Sequence, residues 1–161
     1  MTLELVLMMG LQASGKTTVA RARYAQTHEH ISQDFLRKGR QIAQRQKALI
    51  ESALREQRSV VVDNTHASAE SRASVMTLGR AAGAKIIGIY MASSMERCRA
   101  RNSKRHGDAC VPEVALRSTL KRLERPRRDE GFDELWYGTL LDDGGFELRD
   151  WDETASGATR E

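Results

Sequence analysis

The chain has 161 residues, 40% of them hydrophobic, which suits one core and leaves no room for a second substantial domain. No apolar run approaches the roughly 20 residues of a membrane span, Glu4 stands where a secretory leader carries basic charge, and Cys98 and Cys110 form no CxxC pair and no cluster with histidine. A membrane protein, a signal peptide and a zinc site are therefore not expected, and the chain reads as a cytoplasmic protein with two reduced thiols. The net charge of +4 hides a division: residues 97–128 hold 11 Lys/Arg against 3 Asp/Glu, and residues 129–161 hold 2 against 11. The basic block reads either as a polyanion-facing surface or as a solvated helical face.

In chain order, Leu3 to Met9 is an apolar run with the character of a buried strand, followed by a glycine-containing turn and a helix from Lys16 to Gln26. His30 to Ser32 is a short strand. From Asp34 to Gln57 the spacing of Phe35, Ile42, Leu49, Ile50 and Ala53 predicts one helix with those residues inside. Ser59 to Asp63, with three consecutive valines, is a buried strand; Ser68 to Ala82 is a helix stopping near Gly83. Lys85 to Met91 is a further strand. Ser93 with Glu96 three residues on is a capping box that starts a helix to about Lys104. His106 to Cys110 breaks it, Pro112 opens a second helix to about Arg125, and Pro126 ends that one. "ELWYGTLL" and "GFELRDW" form a late hairpin across Asp143–Gly145, and from Asp152 the composition is that of a frayed acidic tail. Alternating strands and helices imply an α/β fold, a parallel sheet flanked by helices, over residues 1–151.

"GLQASGKT", Gly10 to Thr17, fits G-x-x-x-x-G-K-[ST] between a predicted strand and a predicted helix, the context that a phosphate-binding P-loop requires. Phosphate oxygens need donors converging from one side, and the backbone N–H groups from Ser14 onward supply them at a helix N-terminus. Gly10 and Gly15 let the chain bend. Lys16, expected to face solvent until nucleotide binds, reaches the β and γ phosphates, and Thr17 ligates Mg²⁺. The donor is then a nucleoside triphosphate, ATP. With no NKxD base-reading motif and a short chain, kinases are the leading class.

Asp34 and Arg37 in "SQDFLR" are spaced to share a helical face. The carboxylate suits an attacking hydroxyl and the arginine a phosphate on the acceptor; an N-cap aspartate beside a surface arginine is the plainer alternative. "VVVDNTH" places Asp63, Asn64 and Thr65 at the C-terminal end of a buried strand, where open α/β sheets bind ligands. Asp63 suits Mg²⁺ held through water, and equally suits fixing the acceptor or the Asp34 loop. "RNSKRHGDACVPEVALRSTLKRLERP", Arg101 to Pro126, is two basic helices around a break, the form of a kinase lid over about residues 97–125.

These stretches together resemble the kinase domain of phage-type polynucleotide 5′-kinases, over most of residues 5 to 125. "RNSKR" with "VP" and "LRS" downstream is the narrowest match; "GLQASGKTT", "QDFLR" and "VVVDNTH" follow in order. "DNT" with Arg72 downstream is similar to the kinase module of animal polynucleotide kinase/phosphatases. The resemblance implies an adenylate-kinase-like P-loop fold with a helical lid. It implies Gly10, Ser14, Gly15, Lys16, Thr17 and Thr18 around the ATP phosphates and Mg²⁺. Asp34 becomes general base for a 5′-hydroxyl, Arg37 the clamp on the adjacent phosphate, Asp63 and Thr65 part of the acceptor site, and Arg105 the lid arginine on the transferring phosphoryl group. Asn64 departs from the phage-type spelling. About 35 residues follow the lid helix, too few for the family's phosphatase domain, so a separate phosphatase or ligase is the expected partner. A kinase of a small acceptor, such as a nucleotide sugar, antibiotic or metabolite, and a non-catalytic nucleotide-binding module are the other readings.

Overall fold

The structure is a computed structural model that describes residues 1–36 and 40–154. Its strands are β1 (Glu4–Met9), β2 (Glu29–Ile31), β3 (Val60–Asp63), β4 (Lys85–Ala92), β5 (Glu134–Leu140) and β6 (Phe146–Asp150), in the sheet order β2-β3-β1-β4-β5-β6. The first five run parallel; β6 returns antiparallel to β5 as the expected hairpin. The helices are α1 (Lys16–Tyr24), α2 (Ile42–Arg55), α3 (Ala69–Ala81), α4 (Met95–Ser103) and α5 (Glu113–Arg122), with short 3₁₀ turns at Gln33–Leu36, Gly107–Ala109 and Arg128–Glu130.

The strands are apolar on both faces because both faces are covered. Leu5, Leu7, Val60, Val62 and Ile86 point to one side and pack with Ile50, Ala53, Leu54 and Met76 of α2 and α3. Val6, Met8, Val61, Ile87 and Ile89 point to the other side and pack with Val19, Ala20 and Tyr24 of α1. Ser68 caps α3 in a reciprocal box with Ser71, each side chain accepting the other's backbone N–H. That cap sets α3 directly after the loop leaving β3.

Several local expectations change. The single helix over 34–57 is two elements: Asp34 lies in a 3₁₀ turn, and α2 starts only at Ile42, after Gln41 with φ +64°. Ile50 and Ala53 are buried, but Phe35 and Leu49 are exposed, so the inner stripe belongs to α2 alone. Ser94, not Ser93, caps α4, accepting from the Arg97 N–H. Pro112 is the cap of α5 rather than its first residue, and α5 ends at Arg122, where Leu123 turns extended. At the end of the chain, Trp151 is buried and Glu153 accepts from the Arg128 N–H at 2.7 Å, so residues 152–154 are tied down where fraying was expected. The remainder of that stretch lies outside the described residues. Among the described residues no helix is long and apolar enough to cross a membrane.

Candidate active site

The site is built where β1 turns into α1. Gly10 has φ +132°, its N–H donates to the Thr65 carbonyl at 3.0 Å, and a Cβ there would meet the Met91 carbonyl oxygen at 2.6 Å, so only glycine fits. Ala13 (φ +59°) and Gly15 (φ +103°) are left-handed. This alternation turns successive N–H groups toward one concavity at the start of α1, the geometry of an anion nest. Ser14 is fully buried and its hydroxyl has no partner in the fold. Thr18 sits exposed in the first turn of α1, next to Thr17.

Lys16 does not face solvent. It is 8% exposed, with Nζ donating to the carbonyls of Leu11 (2.6 Å) and Gly10 (3.1 Å). Burial lowers its pKa from 10.5 to about 8; Asp63 and Asp34 oppose the fall, and Arg105 adds to it. The ammonium therefore lies within electrostatic reach of Asp34, Asp63 and Arg105 together. A buried hydroxyl without a partner and a buried ammonium held only by neutral carbonyls are what a triphosphate would satisfy, so the loop fits ATP phosphates.

Thr17 Oγ1 donates to Asp63 Oδ2 at 2.6 Å, and His30 Nε2 meets the same oxygen at 3.0 Å. Burial would raise the Asp63 carboxyl, but the hydrogen bonds from His30 and Thr17 and the charge of Lys16 hold it below the usual value. A hydroxyl and an ionised carboxylate side by side are hard oxygen donors suited to Mg²⁺. No group of three or more His, Cys, Asp or Glu that could hold a metal ion gathers among the described residues. The bond to Thr17 places Asp63 beside the P-loop threonine; the Asp34 turn is fixed by its neighbour instead. Asn64 accepts from the Gln33 N–H (3.1 Å) and donates to Gln46 (3.0 Å).

Asp34 itself is exposed in the pinned turn, its N–H donating to the Ser32 hydroxyl at 3.2 Å. Arg37 lies outside the described residues. Thr65 and Asn64 line a cleft of about 440 Å³ between α2 and α3, with Gln46, His66, Ser71 and Arg122. The cleft opens beside the end of β3.

The α4–α5 segment rests on the loop. Gln12 Nε2 donates to Thr119 of α5 at 2.8 Å, and Asn102 joins α4 to the α5 side through both bonds of its amide to Val111. Arg105 is exposed and donates to the Ala109 carbonyl at 3.4 Å. Arg101, one helical turn earlier, was not singled out by the sequence. Its guanidinium donates to the Ala13 carbonyl (2.9 Å) and to Ser93 (3.3 Å), which pins the left-handed residue of the P-loop. The spacing of four to Arg105 was the signal available.

Two further residues missed as site members hold the scaffold. His66 (φ +41°) is buried and donates from Nδ1 to the Met8 carbonyl at 2.6 Å; burial lowers its pKa to about 4, so it is neutral near pH 7. Arg72 is 1% exposed and forms a two-bond pair with Glu130 (2.7 and 2.8 Å) while also donating to the carbonyls of His66 and Glu124 (both 3.0 Å). It ties the loop after β3 to the segment after α5.

Comparison with known proteins agrees with this geometry. Residues 5–126 match the family model described as an AAA domain. The bifunctional polynucleotide phosphatase/kinase of Schizosaccharomyces pombe is 33% identical over 156 residues, 94% of this chain; the chain spans about 36% of that relative's length. Kti12 of Chaetomium thermophilum, solved in complex with ADP-AlF3, superposes with a TM-score of 0.66 at 18% identity, over 83% of this chain and 87% of that one. A gluconokinase from Sinorhizobium meliloti 1021 superposes with a TM-score of 0.61 at 22% identity, over 83% and 81%. The structural likenesses bear on the fold, which is that of the P-loop kinases, and the sequence match bears on membership: the chain belongs to the AAA-domain family of P-loop proteins.

Proposed function

We propose that the protein transfers the γ-phosphate of ATP to the 5′-hydroxyl end of a polynucleotide. The observation that carries the reading is the match, along 94% of the chain, to a relative that is a polynucleotide phosphatase/kinase. The site geometry supports it: Asp34 lies within electrostatic reach of the P-loop lysine, in the turn whose Gln33 N–H donates to Asn64.

In this reading the P-loop N–H groups and Lys16 hold the β and γ phosphates, and the lysine's charge is stabilised by the anion it receives. Thr17 and Asp63 would hold Mg²⁺, which would supply charge neutralisation on the phosphate oxygens. Asp34 accepts the proton of the attacking 5′-hydroxyl and orients that oxygen in line. The loose transition state of phosphoryl transfer makes orientation as valuable as proton removal. Arg37 holds the acceptor phosphate next to the attacking end, Thr65 lines the acceptor side, and Arg105 swings from its weak carbonyl bond to the transferring phosphoryl group. In this reading the protein acts in the cytoplasm, and a phosphatase or ligase activity completes the processing of the end.

One observation favours the second reading, a kinase of a small hydroxyl acceptor. The cleft of about 440 Å³ beside Thr65 is of small-ligand size. The deciding experiment incubates the protein with γ-labelled ATP, Mg²⁺ and a 5′-hydroxyl oligonucleotide, with its 5′-phosphorylated twin as control. Label on the first and not the second is expected; label on neither, with transfer to a small hydroxyl compound, overturns the proposal.

A further inference from the structure

The ring that the sequence pattern assigns to the core is one that the fold puts outside. Phe35 is 62% exposed, the only aromatic among the large exposed apolar side chains of the described residues. Single exposed apolar side chains are ordinary, so exposure alone means little. Its attachment means more. Phe35 follows Asp34 directly in the 3₁₀ turn, and its ring meets the His30 imidazole edge-on with centroids 5.3 Å apart. That imidazole bonds Asp63 at 3.0 Å, and Asp63 accepts from Thr17 at 2.6 Å. Three contacts thus lead from an open aromatic face to the threonine of the P-loop. The turn that carries the ring is pinned to the end of β3 by the bond from the Gln33 N–H to Asn64.

We propose that Phe35 is the stacking platform for the base of the acceptor's 5′-terminal nucleotide, and so a residue that selects polynucleotide ends over other hydroxyl acceptors. This rests on the function proposed above. A nucleobase offers any aromatic ring a π face whatever its identity, so such a platform binds ends without reading sequence. Base and 5′-hydroxyl belong to one nucleoside. A ring fixed one residue from the carboxylate that receives the hydroxyl proton therefore places both ends of that nucleoside at once. The charges nearby suit the rest of the strand: Lys16 lies within electrostatic reach of both Asp34 and Arg105, and residues 97–128 add their basic block. A small polar acceptor has no extended flat face to set on the ring.

The test compares wild-type protein, Phe35→Ala and Phe35→Trp on two 5′-hydroxyl oligonucleotides, one intact and one abasic at the terminal nucleotide. Stacking is worth enough that Phe35→Ala raises KM for the intact acceptor by about 5- to 100-fold, with KM for ATP unchanged. Phe35→Trp restores the intact acceptor, and the abasic acceptor responds less than about 2-fold to either change, because the partner is already missing. A 2-aminopurine placed at the 5′ terminus is quenched by wild-type protein and not by Phe35→Ala. Should Phe35→Ala fail to fold, Phe35→Leu, apolar without a π face, takes its place. Equal loss on intact and abasic acceptors, or no loss on either, overturns the proposal while wild-type transfer to the oligonucleotide keeps the function reading. If wild-type protein phosphorylates no polynucleotide, the function reading falls and this proposal falls with it.

Discussion

Lys16 carries a strain that can be measured without any turnover. Its ammonium is 8% exposed and its pKa is lowered from 10.5 to about 8, chiefly by burial. At about 1.4 kcal/mol for each pH unit, the charged lysine costs the nucleotide-free fold about 3 kcal/mol at neutral pH. Lys16→Met keeps the length of the side chain and removes the charge. It also forfeits the bonds to the carbonyls of Gly10 and Leu11, worth about 1 kcal/mol net in the neutral form. The variant should therefore be more stable than wild type by about 2 kcal/mol at pH 7, a rise in Tm of about 4–8 °C for a chain of this size. The pH dependence has a definite sign. The lowered folded-state pKa means that the penalty is complete below about pH 8 and fades as pH rises toward 10.5, because the unfolded chain then holds the proton that the folded chain has lost. The gap between variant and wild type should narrow over that window. Excess ATP at 100 times its Kd reverses the order, adding about 2.7 kcal/mol to wild type and little to the variant. Thermal melts at pH 7 and 9.5, with and without ATP·Mg²⁺, read all of this. A Lys16→Met protein that melts several degrees below wild type at pH 7 without nucleotide would refute the reasoning, since the lysine would then be a structural asset.

Asp34→Asn should lower kcat by about 10²–10⁴-fold with ATP affinity intact; an equal fall in ATP affinity, measured by titration calorimetry, would move Asp34 to the donor side. Asp63→Asn should raise the Mg²⁺ concentration needed for half-maximal rate, because the variant amide cannot serve Thr17 and the ion as a carboxylate does; an unchanged Mg²⁺ dependence contradicts the assignment. Arg105→Ala should lower kcat with every acceptor, since its interaction forms mainly in the transition state, whereas Arg101→Ala should chiefly raise the KM for ATP by releasing the Ala13 carbonyl. Arg72→Met leaves Glu130 without its buried partner and should destabilise the fold by about 3–5 kcal/mol, read by urea denaturation.

The phosphate end of the site was legible in the sequence because its geometry demands particular residues. A left-handed turn before a helix needs glycine at Gly15, the close approach to Met91 needs it at Gly10, and both stand in the spelled motif. The strands were legible because burial on both faces leaves unbroken apolar runs such as Val60 to Val62. The segment after β2 was misread for an equally physical reason. Phe35 falls seven residues before Ile42, so it fitted the helical period, while Gly39 in "KGR" was a breaker signal that the period outweighed. The roles of His66 and Arg72 were hidden because their partners lie far off in sequence: Met8 is 58 residues from His66, and Glu130 is 58 from Arg72. Lys16 was placed in solvent because a charged residue normally is; nothing local in the sequence shows that α4 and α5 close over the loop.

The central claim is that Asp34 serves a polynucleotide hydroxyl activated against ATP held on the P-loop. The most direct measurement is a single-turnover competition, with γ-labelled ATP and Mg²⁺, between a 5′-hydroxyl oligonucleotide and a hundredfold excess of small hydroxyl acceptors, using wild type and Asp34→Asn. The account predicts label on the oligonucleotide as a 5′-phosphomonoester, removable by phosphatase, and its loss in Asp34→Asn with ATP still bound. Label appearing on a small acceptor while the oligonucleotide stays unlabelled, or transfer to the oligonucleotide at full rate in Asp34→Asn, would contradict it.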